Sequence, residues 1–214
     1  MTKELPILFN GEMVRAILDG RKTQTRRPIK PQPTLQSNPF NDDTLVFRWP
    51  KKTRRHDGQL LGMTEMLAES PFGGIGCHLY VRETCKCLTV GGIRGSDENP
   101  EYWWVKYRAG GHATISRPNR KPLSLDKWCP SILAPKCASR ITLEVTREWA
   151  QRVQDISESD AIAEGIEPKE PDYVVSAWYR YGQLWNSLYA KKGFSFESNP
   201  WVFGCEFKVL EVTR

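Results

Sequence analysis

Residues 20–27 read Gly-Arg-Lys-Thr-Gln-Thr-Arg-Arg, and this is where the 214-residue chain most directly suggests chemistry. Lys22 stands three residues before Thr25, a spacing that at a helix exit can bring an amine to a hydroxyl. Burial, or the neighbouring charges of Arg21, Arg26 and Arg27, would lower the lysine pKa and leave a neutral amine able to act as a base. The arginines would hold a phosphate or a developing oxyanion through their forked donors. A solvated basic turn uses the same residue types, so both readings stay open at this level.

The flanking sequence supplies elements to position this run. Residues 5–9 predict a short strand and residues 12–19 a helix with Val14, Ile17 and Leu18 on one face, closed by Gly20. Residues 21–27 then predict a loop passing into a strand. Five prolines between positions 28 and 50, among many polar residues, predict a long surface loop over 28–60 without regular structure. Period-two alternation predicts strands at 79–84, 102–108, 140–146 and 201–209. Ser157 followed by Asp160 reads as a helix cap, with the helix running through Glu164 to Gly165. A second helix over 173–190 carries Val174, Trp178, Tyr181, Trp185 and Leu188 at helical spacing, a stripe read as core packing. Glycine- and proline-rich connections at 71–76, 91–95 and 110–122 favour a curved sheet with decorated loops. The fold class expected is α+β.

Charge narrows the partners. The net charge is +6, and residues 1–60 hold 12 Lys or Arg against 6 Asp or Glu, so the whole excess lies there. Residues 82–140 are also basic and 141–214 acidic. Basic blocks with Trp49, Trp103, Trp104 and Tyr107 nearby are what a nucleic-acid surface needs, and a solvated basic surface is the alternative. The longest apolar runs fall far short of the roughly 20 residues that span a bilayer, and no secretion signal marks the N-terminus, so a cytoplasmic location and no membrane partner are expected.

Six cysteines in a reducing compartment are expected as free thiols. Cys77, His78, Cys85 and Cys87 fall within eleven positions, but no Cys-x-x-Cys pair occurs, and Cys85 and Cys87 would share one strand face. Neither a metal nor a cofactor is expected. Ser-His-Asp arrangements, phosphate-binding glycine loops and His-Glu-x-x-His helices are absent from the sequence.

The run at 20–27 after a short amphipathic helix matches the G-x-K-x-x-T-x-R signature of the ASCH domain, a relative of the PUA RNA-binding fold. The chain resembles the larger ASCH proteins encoded in bacteriophages and prophages. Supporting stretches are ILFNGEMVRAILDG before the signature, LYVRET at 79–84, PSILAPKCASRITLEV at 130–145, QDISESDAIAEGI at 154–166 and KKGFSFESNPWVFGCEF at 191–207. Tyr80, where these proteins carry Trp, and Cys137, where they carry an aromatic residue, depart from the pattern.

The resemblance implies one ASCH (PUA-like) domain over 1–214: a partly closed β-barrel flanked by helices, with insertion loops at about 28–60 and 88–135. It implies a cleft lined by the lysine–threonine turn. It also implies recognition of a nucleoside or single-stranded nucleic acid, RNA above all. The family's bacterial N4-acetylcytidine amidohydrolases match Lys22 and Thr25 through the signature, and their glutamate aligns with Glu164; Glu83 is the competing carboxylate. In that chemistry Lys22 deprotonates Thr25 or a water, Glu164 protonates the leaving amine, and Arg21, Arg26 and Arg27 hold substrate or charge. Other ASCH proteins are proposed to bind RNA or cleave it as single strands, so a non-catalytic binding module or a ribonuclease is the alternative.

Overall fold

The computed structural model describes residues 2–38, 41–48, 60–88, 102–116, 127–167 and 175–213. In chain order its strands and helices begin with β1 (Glu4–Leu8), α1 (Gly11–Leu18), β2 (Gln24–Pro28), β3 (Thr34–Asn38), β4 (Asn41–Arg48), β5 (Leu60–Leu61), α2 (Met63–Leu67) and β6 (His78–Arg82). They continue with β7 (Cys85–Leu88), β8 (Tyr102–Tyr107), β9 (His112–Ser116), β10 (Ile141–Arg152), α3 (Glu158–Ala163), α4 (Ala177–Tyr189) and β11 (Trp201–Val212). The class is α+β, with more strand than helix and no closed barrel among the described residues. No helix among them is long and apolar enough to cross a membrane.

The chain forms two compact units, each assembled from separate stretches. The first comprises Met1–Gly20, Gly76–Glu144 and Lys208–Arg214, and the second Arg21–Ile75 and Val145–Phe207.

In the first unit, Asn10 caps α1 by accepting from the Met13 amide at 2.8 Å, and Gly20, at φ 72°, ends the turn that follows. Met13, Val14, Ala16 and Ile17 are buried, whereas Leu18 is exposed. Strand β1 runs parallel to β6 with Ile7 opposite Val81, and β6 runs antiparallel to β10 with Leu79 opposite Leu143. Alternation buries Ile141 and Leu143 as predicted, and Val145, the first β10 residue of the second unit, likewise. A separate antiparallel sheet, β7–β8–β9, turns Cys85, Cys87, Val105, Tyr107 and Ala113 onto Cys129, Ala134 and Ala138.

In the second unit, β11 pairs antiparallel with β2, setting Thr25 opposite Cys205 and Arg26 opposite Gly204. The amide of Val153, just past β10, donates to the Pro200 carbonyl at 3.0 Å. Helices α3 and α4 cover this sheet through Ala161, Ala177, Tyr181 and Trp185, packed with Val153, Ile156, Phe196 and Val202. Ser157 and Ser176 cap the two helices by accepting from Asp160 and Tyr179.

The expectation of an irregular loop over 28–60 is corrected by β3, β4 and β5, which form an antiparallel sheet with Leu35 opposite Phe47 and Phe47 opposite Leu61. The prolines do not prevent it, because Pro28 ends β2 and Pro33 precedes β3, where a missing N–H breaks no ladder. Phe47 is buried edge-on against Trp201, with ring centroids 5.0 Å apart. Trp49 and the basic run at 51–55 lie outside the described residues.

Candidate functional site

The signature run enters the second unit as an extension of a strand. Lys22 forms an isolated antiparallel bridge with Glu164. Thr23 donates its amide to the Ala163 carbonyl at 2.8 Å and accepts from the Phe207 amide at 2.9 Å. The backbone of residues 22–23 is thus stitched to the end of α3 and to β11. Glu164 caps the C-terminal end of α3, and Gly165 at φ 93° turns the chain away, which frees the Glu164 carbonyl and side chain together toward Lys22.

Lys22 is 1% exposed, and three acceptors meet its amine: Gln24 O at 2.8 Å, Glu164 O at 2.8 Å and Glu164 Oε2 at 2.6 Å. Three acceptors match the three protons of an ammonium group. Burial nevertheless pushes the Lys22 pKa below the usual lysine range, against the opposing pull of the Glu164 charge and hydrogen bond.

Arg26 holds the other side of the carboxylate. Its Nη1 donates to Glu164 Oε1 and to Gln24 Oε1, each at 3.2 Å, and its Nη2 to Asp160 Oδ2 at 3.0 Å. Asp160 and Glu164 are four residues apart, so one face of α3 presents both carboxylates to β2. The Trp149 ring lies 5.3 Å from the Arg26 guanidinium carbon, within cation–π range. Arg26 and Glu164 are 1% and 5% exposed, and Arg26 Nε has no hydrogen-bond partner among the described residues.

Strand period separates Thr25 from this network. Lys22, Gln24 and Arg26 share one parity, whereas Thr25 and Arg27 share the other. The Thr25 hydroxyl, fully buried, accepts from Arg27 Nη1 at 3.2 Å, and Arg27 also donates to the Arg26 carbonyl. Arg21 is more open, reaching Gly165 O at 3.4 Å and Glu167 at 3.3 Å.

Glu83 belongs to the first unit, where Arg140 takes both its oxygens at 2.8 and 3.1 Å and stacks 4.1 Å over the Tyr107 ring. Burial raises the Glu83 pKa, with Arg140 opposing the shift. The competing carboxylate therefore already has its cation.

Two groups beside the cluster escaped the sequence reading. Tyr181, placed in the aromatic stripe of α4, buries a hydroxyl that has no hydrogen-bond partner among the described residues. Burial and then the Glu164 charge hold it neutral, far above the ordinary tyrosine pKa. Asp160 was read as a capping partner, and its i, i+4 relation to Glu164 was the available signal for its pairing with Arg26. All six cysteines are free thiols, and no group of three or more His, Cys, Asp or Glu side chains forms a metal cage among the described residues.

Compared with family models, curated proteins and solved structures, the chain matches none. The ASCH resemblance rests on the quoted motifs themselves.

Proposed function

We propose that the protein is an ASCH-type, PUA-like, cytoplasmic amidohydrolase that removes an acyl group from an N4-acylated cytidine, with Lys22 and Glu164 as its proton-transferring groups and a water as the nucleophile. The observation that carries this reading is the 2.6 Å contact between Lys22 Nζ and Glu164 Oε2 inside a buried site. A proton moving along it converts ammonium and carboxylate into amine and carboxylic acid, the two forms the reaction requires.

A water then attacks the acyl carbon as its proton passes to Lys22, since the Thr25 hydroxyl lies on the other strand face and accepts from Arg27. The tetrahedral intermediate collapses with cleavage of the carbon–nitrogen bond, and Glu164 gives its proton to the departing N4 amine. Arg26 Nε and the Tyr181 hydroxyl are unspent donors next to Glu164 that a bound carbonyl or base would satisfy. Lys22 is almost fully buried, so substrate and water reach it only when the surrounding chain opens.

The experiment is incubation of the purified protein with N4-acetylcytidine and chromatographic measurement of cytidine. Release that disappears in Lys22→Met and Glu164→Gln proteins with intact circular dichroism is the expected result. No release by the unmodified protein overturns the reading.

The near-complete burial of Lys22 and Thr25 favours a second reading, a non-catalytic RNA- or DNA-binding module in which the cluster only fixes the signature run to α3. That reading expects salt-dependent binding of oligonucleotide with no turnover.

A further inference from the structure

Strand register fixes what the exposed face of the β7–β8–β9 sheet carries. Lys86 stands opposite Lys106, and Lys106 opposite His112, in one row; Trp104 stands opposite Thr114 in the next. Trp104 is 43% exposed, and its ring stacks on His112 with centroids 5.3 Å apart and planes 8° apart. Trp128, 42% exposed, flanks the same sheet because its neighbour Cys129 bridges Cys85, and Lys86 Nζ lies 6.0 Å over its ring. No Asp or Glu occurs in the three strands.

Arg108, just past β8, extends the positive charge. With Arg15 it lines a cleft of about 410 Å³, alongside Asn10, Glu12 and the Arg140-bound Glu83. Neither Arg15 nor Arg108 makes a side-chain hydrogen bond or ion pair among the described residues.

Like charges directly opposite each other disfavour an antiparallel pair, and two half-exposed indoles leave apolar area in water. A polyanion that offers unpaired aromatic faces complements both features. A duplex offers the charge but hides the bases in its stack.

We propose that this face binds single-stranded nucleic acid, with phosphates against Lys86, Lys106 and Arg108 and bases stacked on Trp104 and Trp128. The proposal is independent of the amidohydrolase reading. It deepens the binding reading by assigning the surface and the strandedness of the partner to a sheet outside the signature.

The test is fluorescence anisotropy with a labelled 12-nucleotide RNA, the same sequence as DNA, and the duplex of each. A single strand of either sugar binds more tightly than its duplex. Trp104→Ala weakens that binding about fivefold or more. Lys86→Ala combined with Lys106→Ala lowers the slope of log affinity against log salt by about 1.4, from roughly 0.7 per phosphate contact. Duplex binding as tight as single-strand binding, or unchanged binding in both variants, overturns the proposal. Measuring cytidine release by the same variants keeps the two functions apart, since neither variant touches the Lys22 cluster.

Discussion

Lys22 and Glu164, 142 residues apart in sequence, are joined twice: through the side-chain contact at 2.6 Å and through the Lys22 amine on the Glu164 carbonyl at 2.8 Å. The same carboxylate also receives Arg26 at 3.2 Å, so one buried glutamate balances two buried cations. Asp160, on the Arg26 side, is the more exposed partner. The pair ties β2 to α3 whatever reaction it performs.

Removing both partners therefore costs less than the sum of removing each alone. Glu164→Gln leaves the Lys22 ammonium and Arg26 without their shared carboxylate, a loss of about 3–5 kcal/mol for a broken buried pair. Lys22→Met leaves Glu164 still held by Arg26 and costs less. In urea denaturation the double variant is expected to lose less than the sum of the two single losses. Simple additivity would mean that the two side chains are not coupled.

The buried lysine also gives stability a defined pH dependence. Its folded pKa lies below the 10.5 of an unperturbed lysine, so between those two values the unfolded chain binds more protons than the folded one. Stability from this group consequently rises with pH through that window and levels off above 10.5. The unfolding free energy of the unmodified protein minus that of Lys22→Met is expected to increase as pH is raised toward 10.5. A flat or falling difference would show that burial does not depress the lysine.

Local signals in the sequence located much of this arrangement and misjudged some of it. The glycines at 20 and 165 and the Ser157 cap mark the ends of elements through backbone conformation, which few residue types satisfy, and alternation marks the half-buried stretch of β10. The sheet of β3, β4 and β5 was hidden because polar and proline-rich composition outweighed Val46 and Phe47, whose burial depends on partners distant in sequence. Lys22 and Glu164 were both legible as candidates. Whether Thr25 would share their side was a question of strand parity, and the Arg27 contact answers it.

Gly204 tests the packing behind Arg26, which it faces in the β2–β11 register. A Cβ at this position would stand 2.4 Å from Trp149 Cε2, and the indole is the ring that Arg26 approaches. Gly204→Ala must displace that ring, an overpacking expected to cost about 1–3 kcal/mol. The same substitution in a Trp149→Ala background is expected to cost less, as thermal or urea unfolding would record. Equal costs in both backgrounds would locate the strain elsewhere.

Thiol chemistry offers a check on the buried core of the first unit. Cys85, Cys87 and Cys129 lie within one apolar cluster, where burial, with smaller contributions from the neighbouring thiols, pushes the Cys85 pKa up to about 12. Cys77 is buried in the same unit, and Cys205 is buried in the second unit with its thiol also pushed upward. The thiolate is the reactive species, so access and charge both protect these residues. Cys137 alone is exposed. A maleimide applied to the folded protein at pH 7.5 is expected to add one label, at Cys137, and in urea to add six, counted by mass spectrometry. Rapid labelling of Cys85, Cys87 or Cys129 in the folded state would show that the β7–β8–β9 sheet opens readily, and with it the core beneath Trp104 and Lys106.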